Sequence, residues 1–330
     1  MRTLPARLTL TSVLVVTLAA CDNAGSALGF VDEKTGTVGV AVFLDRDGSR
    51  TLSAPDTVYR GARVALMLKG RSDTVRTEPT NAGGIVFFTG LPFGEYRVAV
   101  APGSLGDSVQ VAHVDITDIV ISHFKDTVGV VIRLAYPELT IRQARAAAPG
   151  KRVFIRGVIL AGVQTFRDTT SHLADSSGSI RLTEVSLRGG LVGNAPGDSV
   201  SALGTISSRL GQPVLDRALV GRFGSRPPPL AVIVNTATAA SASSGAFDAG
   251  LVQVIAALIA DTVFVSPDFK ATVNDGSGPL AIVLDANVNF LNLRALLLLG
   301  KRVNARGVLV PNGTSGWILK PRDLNDISVF

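Results

Sequence analysis

Few residues in this 330-residue chain have the type and spacing to do chemistry. Cys21 is its single thiol, so the chain closes no disulfide on itself and offers no multi-thiolate metal site. Asp45, Asp47, Ser49 and Asp56 place several oxygens within one short stretch, the donor set a hard cation such as Ca2+ prefers. Arg46 and Arg50 lie inside that stretch and oppose a cation; the competing reading is an Asp-Gly turn with solvated charges. Trp317 with Lys320 and Arg322 joins an aromatic face to two cations, the composition of a ligand contact. Proton transfer at neutral pH leans on histidine, and His113, His123 and His172 stand in no H-E-x-x-H pattern and beside no nucleophile motif. A G-x-S-x-G elbow and a G-x-x-x-x-G-K-[ST] phosphate loop are both missing from the sequence. These residues predict a binding protein, not an enzyme.

The elements around them read as strands. The composition is 46% hydrophobic and 5% aromatic, a profile of many short strands and turns. Val38, Val40 and Val42 mark one face of a strand, and Val64, Leu66 and Leu68 another, because side chains alternate at period two. From Gly83 to Val100 a strand runs into Leu91-Pro92-Phe93-Gly94 and a second strand leaves it; Pro92 presets the turn and Gly94 tolerates unusual φ. This segment resembles the G-x-Y-x-F-x-x-L-P-x-G-x-Y-x-V signature of carboxypeptidase-regulatory-like and serine-aspartate-repeat B-type domains, with Val86 at a usual aromatic position. The resemblance implies a transthyretin-like or Ig-like β-sandwich over 36–135. Asp45-Arg46-Asp47-Gly48 likewise resembles the Ca2+-binding opening of B-type domains, with one acidic residue fewer.

The remainder repeats with an offset near 100. Gly150 to Ile155 matches Gly250 to Ile255, Asp175-Ser176-Ser177-Gly178 matches Asp275-Gly276-Ser277-Gly278, and Gly204-Thr205-Ile206 matches Gly307-Val308-Leu309. In the second copy, strands at 251–260, 269–273, 280–284, 303–310 and 317–319, with a helix at 288–299, follow the order of an OB-fold barrel. Two OB-like five-stranded barrels are therefore expected over 137–224 and 230–330, joined by a Pro-rich linker at 225–229 and each folding by itself. The fold class is all-β. Thr140 to Arg145 with the glycines and valines that follow resembles OB-like domains of secreted nucleases and bacterial surface lipoproteins. Phe154, Phe166, Phe264, Phe269 and Phe290 alternate with aliphatic residues and are assigned to the core; Lys151, Arg152, Arg156, Arg181, Lys301, Arg302 and Arg306 are assigned to basic barrel faces.

At the start of the chain, Arg2 and Arg7 precede an apolar run from Leu8 to Leu18, too short to span a bilayer. Leu18-Ala19-Ala20-Cys21 resembles the lipobox of bacterial lipoproteins. That resemblance implies a signal peptide and lipobox over 1–21, lipidation of Cys21, and a polar tether over 22–35. The net charge of +6 becomes +4 when Arg2 and Arg7 leave, too modest to indicate a nucleic-acid partner. Asp22 follows a rule for inner-membrane retention that holds in only some bacteria, so the outer membrane or cell surface is the expected address. The expected role is a lipid-anchored envelope protein acting as a binding or scaffolding module. Its partners are the membrane, envelope proteins, oligosaccharide or single-stranded nucleic acid. The alternative is an accessory subunit that presents oligosaccharide or single-stranded nucleic acid to a secreted degrading enzyme.

Overall fold

The computed structural model describes residues 35–330 except 47, 55, 102, 107, 124–125, 188–194, 289, 291–295 and 314–315. The apolar run, the lipobox with Cys21, and the tether up to residue 34 lie outside the described residues. The described chain is all-β: a two-sheet sandwich followed by two closed five-stranded barrels.

The sandwich has nine strands: β1 (Thr35–Asp45), β2 (Thr57–Val58), β3 (Arg63–Leu68), β4 (Thr74–Pro79), β5 (Ile85–Pro92), β6 (Gly94–Val100), β7 (Gln110–Val114), β8 (Ile119–Ile121) and β9 (Thr127–Ala135). In one sheet β1 has β2 and β5 antiparallel along one edge and β9 parallel along the other, with β7 outside β9. The other sheet runs β4-β3-β6-β8. Alternation turns Val38, Val40, Val42, Phe88 and Ile132 inward against Val64, Leu66, Ile119 and Ile121 of the facing sheet. Each such buried side chain contributes about 1.5–3 kcal/mol. Tyr96 is buried in this core and its hydroxyl donates to the Pro92 carbonyl at 2.8 Å, which holds the Leu-Pro-x-Gly turn onto the strand that leaves it.

The first barrel follows directly: β10 (Glu138–Leu139), α1 (Ile141–Ala146), β11 (Arg152–Ala161), β12 (Ser171–Asp175), β13 (Gly178–Leu182), β14 (Ser186–Leu187), β15 (Asp198–Arg209) and β16 (Gln212–Ser225). The second has β17 (Val232–Ile233), α2 (Thr236–Gly245), β18 (Leu251–Val265), β19 (Asp268–Asn274), β20 (Pro279–Leu284), β21 (Arg302–Pro311), β22 (Trp317–Lys320) and β23 (Ile327–Val329). Closure runs β11-β12-β13-β16-β15 and back to β11, and β18-β19-β20-β22-β21 and back to β18. Both follow the order one-two-three-five-four of an OB barrel. Of the helix expected at 288–299, residues 289 and 291–295 lie outside the described residues, and 288, 290 and 296–299 are turn or irregular rather than helical.

The repeat has a physical cause. Asp175 Oδ2 accepts the Ile141 amide at 2.8 Å and Ser177 Oγ the Arg142 amide at 3.0 Å. In the second barrel Asp275 Oδ2 accepts the Thr236 amide at 3.0 Å and Ser277 Oγ the Ala237 amide at 3.0 Å. The first amides of a helix have no partner within it, so each D-x-S-G turn caps the helix that leads into its barrel. Burial opposes the Asp275 charge, but hydrogen bonds from Ser277 and Thr236 outweigh it and hold the carboxyl at about 2. The repeated glycines on the fourth strands are fixed by close approach. A Cβ on Gly204 would meet the Asp216 carbonyl at 2.8 Å, and one on Gly307 would collide with the Lys320 carbonyl.

The two barrels are not separate bodies. Leu160, Ala161, Phe166 and Ala174 of the first pack with Leu251, Val308 and Val310 of the second in one buried cluster. Each barrel covers apolar surface of the other, an arrangement that favours joint folding over the independent folding expected of each.

Candidate functional site

In the Asp45 loop the carboxylates close the loop itself. Asp45 sits at the end of β1 with its side chain 1% exposed. Its Oδ1 accepts the Gly48 amide at 2.6 Å, and its Oδ2 accepts the Arg50 amide at 3.1 Å and Arg133 Nη1 at 3.0 Å. Asp56 accepts the Arg46 amide at 2.8 Å and the Ser53 amide at 2.9 Å. Ser49 Oγ donates to the Thr51 carbonyl at 2.9 Å, and Asp47 lies outside the described residues. A cation here would have to displace Arg133, which β9 brings alongside β1 in parallel register. The expected result of melting the chain in about 5 mM Ca2+ or in EDTA is therefore superimposable curves. A rise with Ca2+ that is lost in Asp45→Ala would instead establish a site.

Trp317, Lys320 and Arg322 are brought together, but at the joint between the barrels. Trp317 Nε1 donates to Asp248 Oδ1 at 2.9 Å, while Asp248 Oδ2 pairs with Arg145 of the first barrel at 3.2 Å. Arg145 also donates to the Gly245 carbonyl at 3.1 Å, beside a left-handed turn at Ala242 to Ser244. Lys320 is buried, with Nζ 2.6 Å from Asp285 Oδ2 and 4.4 Å above the centre of the Phe166 ring. Asp285 Oδ1 accepts the Arg167 amide of the first barrel at 3.1 Å. Arg322 is 7% exposed and forks onto Asp326, and its Nη1 reaches the Leu160 carbonyl of the first barrel at 3.0 Å. Burial would raise the Asp326 carboxyl, but hydrogen bonds and charge from Arg322 hold it below its usual range. The structure thus engages the polar atoms of all three at the barrel joint, with the side chains of Lys320 and Arg322 buried there and Arg322 reaching directly across it.

His172, on β12, lies against the same joint. It is fully buried, meets Phe166 edge-on at 5.9 Å, and neither ring nitrogen has a hydrogen-bond partner. Burial pushes it down to about 3, with the charges of Arg181 and Lys320 acting in the same sense and Asp168 against them.

An open ligand-sized depression lies elsewhere. A cleft of about 280 Å3 separates the sandwich from the first barrel, lined by Asp45, Arg50, Arg133, Glu138, Phe154 and Arg156 among others. On β11 the residues Arg152, Phe154 and Arg156 share one face by alternation. The Arg156 guanidinium lies 5.4 Å from the centre of the Phe154 ring and 5.7 Å from that of Phe223, an exposed ring on β16. Its Nε forms an ion pair with Glu138 Oε1 at 3.1 Å, and Arg152 stacks on Tyr136 at 5.1 Å. Past Glu138 and Arg156 a second depression of about 340 Å3 is lined by Thr140, Gln143 and Asp175. Sequence reading placed Arg156 on a solvated strip and Phe154 in the core; the interleaved Arg-x-Phe-x-Arg pattern was the signal for a shared face.

No family model matches this chain. No curated protein matches it either. Among solved structures it is similar to the minor pilin GBS52 of Streptococcus agalactiae, at 19% identity over 31% of this chain and 44% of the pilin, with a TM-score of 0.24. It is also similar to the hypothetical protein ygiW of E. coli, at 19% identity over 27% of this chain and 97% of that protein, with a TM-score of 0.22. A murine DNA-binding protein bound with double-stranded DNA is 8% identical over 54% of this chain and 95% of its own, with a TM-score of 0.27. All three are distant, and the all-β fold rests on the strand registers given above.

Proposed function

We propose that this chain is a non-catalytic, membrane-anchored envelope protein that holds a bound partner in fixed geometry. The sandwich acts as spacer and the paired barrels as the contact body. The observation that carries this reading is the barrel joint, where Arg145 and Arg322 reach across to the other barrel and Lys320 lies over Phe166 of the first. Buried ion pairs are weak contributors to net stability but demand one geometry, which suits a scaffold. The anchor rests on the lipobox resemblance at Leu18 to Cys21. Replacing Cys21 with Ser is expected to move the protein from the membrane fraction to the soluble fraction and to abolish incorporation of labelled fatty acid. Unchanged partition in that variant would sink the anchor. Turnover of glycans or nucleic acid by the purified chain would sink the non-catalytic part.

The cleft beside Arg156 favours a second reading, an accessory subunit that presents a polymer to a degrading enzyme. Its cations and exposed Phe223 ring are the kind of surface that such presentation uses.

A further inference from the structure

We propose that the cleft between the sandwich and the first barrel binds a carboxylate of an acidic oligosaccharide, with Arg156 and Arg50 as the recognising residues. The inference deepens the binding reading above and uses neither the anchor nor the barrel joint.

The donors in the cleft outnumber its acceptors. Asp45 is already engaged by the Gly48 and Arg50 amides and by Arg133. Glu138 pairs with Arg156 at Nε without forming a hydrogen bond there. Among the described residues the Nη groups of Arg156 make no hydrogen bond, and the guanidinium of Arg50 makes neither a hydrogen bond nor an ion pair. Phe154 and Phe223 hold the Arg156 fork in place, so little rotamer freedom remains to be lost when a planar carboxylate binds both Nη groups.

Charge and shape then choose the class. Among the described residues, three arginines against two carboxylates leave the lining with a single excess positive charge. A nucleic-acid backbone presents a phosphate at every step and would meet Glu138, and then Asp175 where the cleft adjoins the second depression. A saccharide with spaced carboxylates avoids that repulsion, and its hydroxyls suit the polar second depression at Thr140 and Gln143. Phe223, 60% exposed beside Arg156, offers a flat apolar face to a sugar ring.

Titration calorimetry on the full chain in detergent, with tetragalacturonate as probe, tests this. The acid is expected to bind about tenfold or more tightly than its methyl ester. Arg156→Met is expected to weaken binding about tenfold, a difference of about 1.4 kcal/mol. Arg50→Met, at an exposed position whose loss leaves the fold intact, is expected to weaken it about threefold with an unchanged melting temperature, while Arg226→Met on the linker changes nothing. Equal affinity for acid and ester, unaltered affinity in both cleft variants, or no binding of the acid at millimolar concentration would each overturn the proposal. Tighter binding of a short oligo-dT than of the uronate would overturn it in favour of a nucleic-acid surface. Any of these with an intact Cys21 anchor leaves the membrane reading standing.

Discussion

Asp285→Ala is expected to destabilise the barrel pair by about 3–5 kcal/mol, because it strands a charge inside the protein. Lys320 Nζ has its salt bridge to Asp285 at 2.6 Å and is 9% exposed at the side chain, with Asp168 as a second carboxylate only at 3.9 Å. The same change removes the acceptor of the Arg167 amide across the joint and of the Asn287 amide. For a unit of this size the loss corresponds to a melting temperature lower by roughly 10 °C. Removing both charges in Asp285→Leu with Lys320→Met should recover at least about half of the loss, since desolvating the pair is itself costly. What remains is the cost of the two amides that lose their acceptor, which belong to the exposed residues Arg167 and Asn287 and together cost within about 2 kcal/mol. The shared Leu160, Phe166, Leu251 and Val308 cluster further predicts one cooperative transition for the two barrels in calorimetry of the full chain. Two separate barrel transitions, with Asp285→Ala affecting only one, would show that the joint does not couple them.

The second large effect is loss of stability in mild acid through His172. Its folded value is about 3, below the 6.5 of an exposed imidazole, so between those limits the unfolded chain binds a proton that the folded chain refuses. Stability is then complete above about pH 6.5 and falls as pH drops toward 3, at up to about 1.4 kcal/mol per unit. Arg181 and Lys320 oppose the proton and Asp168 alone among the charged neighbours favours it, so the joint gains no compensating pair. Urea unfolding at about pH 7 and about pH 4.5 should differ by on the order of 2–3 kcal/mol. His172→Phe should remove most of that difference, since both ring nitrogens lack partners and an apolar ring loses no hydrogen bond there. The carboxylates whose titration is pushed down, Asp275 and Asp326 among them, act in a lower window: they support the fold above about 3.8 and release it only below. A pH slope that survives in His172→Phe would place the acid sensitivity elsewhere.

The strands were legible because their cause is local. Val38, Val40 and Val42 turn inward as alternation dictates. The expected second-barrel strand at 280–284 occupies Pro279–Leu284, and that at 303–310 occupies Arg302–Pro311. The D-x-S-G landmark was equally visible as a repeat, although its use as a cap for Ile141 and Thr236 depends on a helix more than thirty residues away in sequence.

What the sequence by itself determined was the all-β class, the order of strands and the glycines that let neighbouring strands approach. Period-two burial and turn chemistry act over a few residues and leave their mark in the string. What only the tertiary structure decided was the work of each charged side chain. Lys320 and Arg322 carry the same local pattern as a ligand contact, and only the seating of one barrel on Phe166 and Leu160 of the other turns them inward. Arg156 lies between two rings because β16 brings Phe223 across to β11's neighbour β15. A charge is read by what surrounds it, and surroundings built from residues a hundred or more positions apart have no local signature.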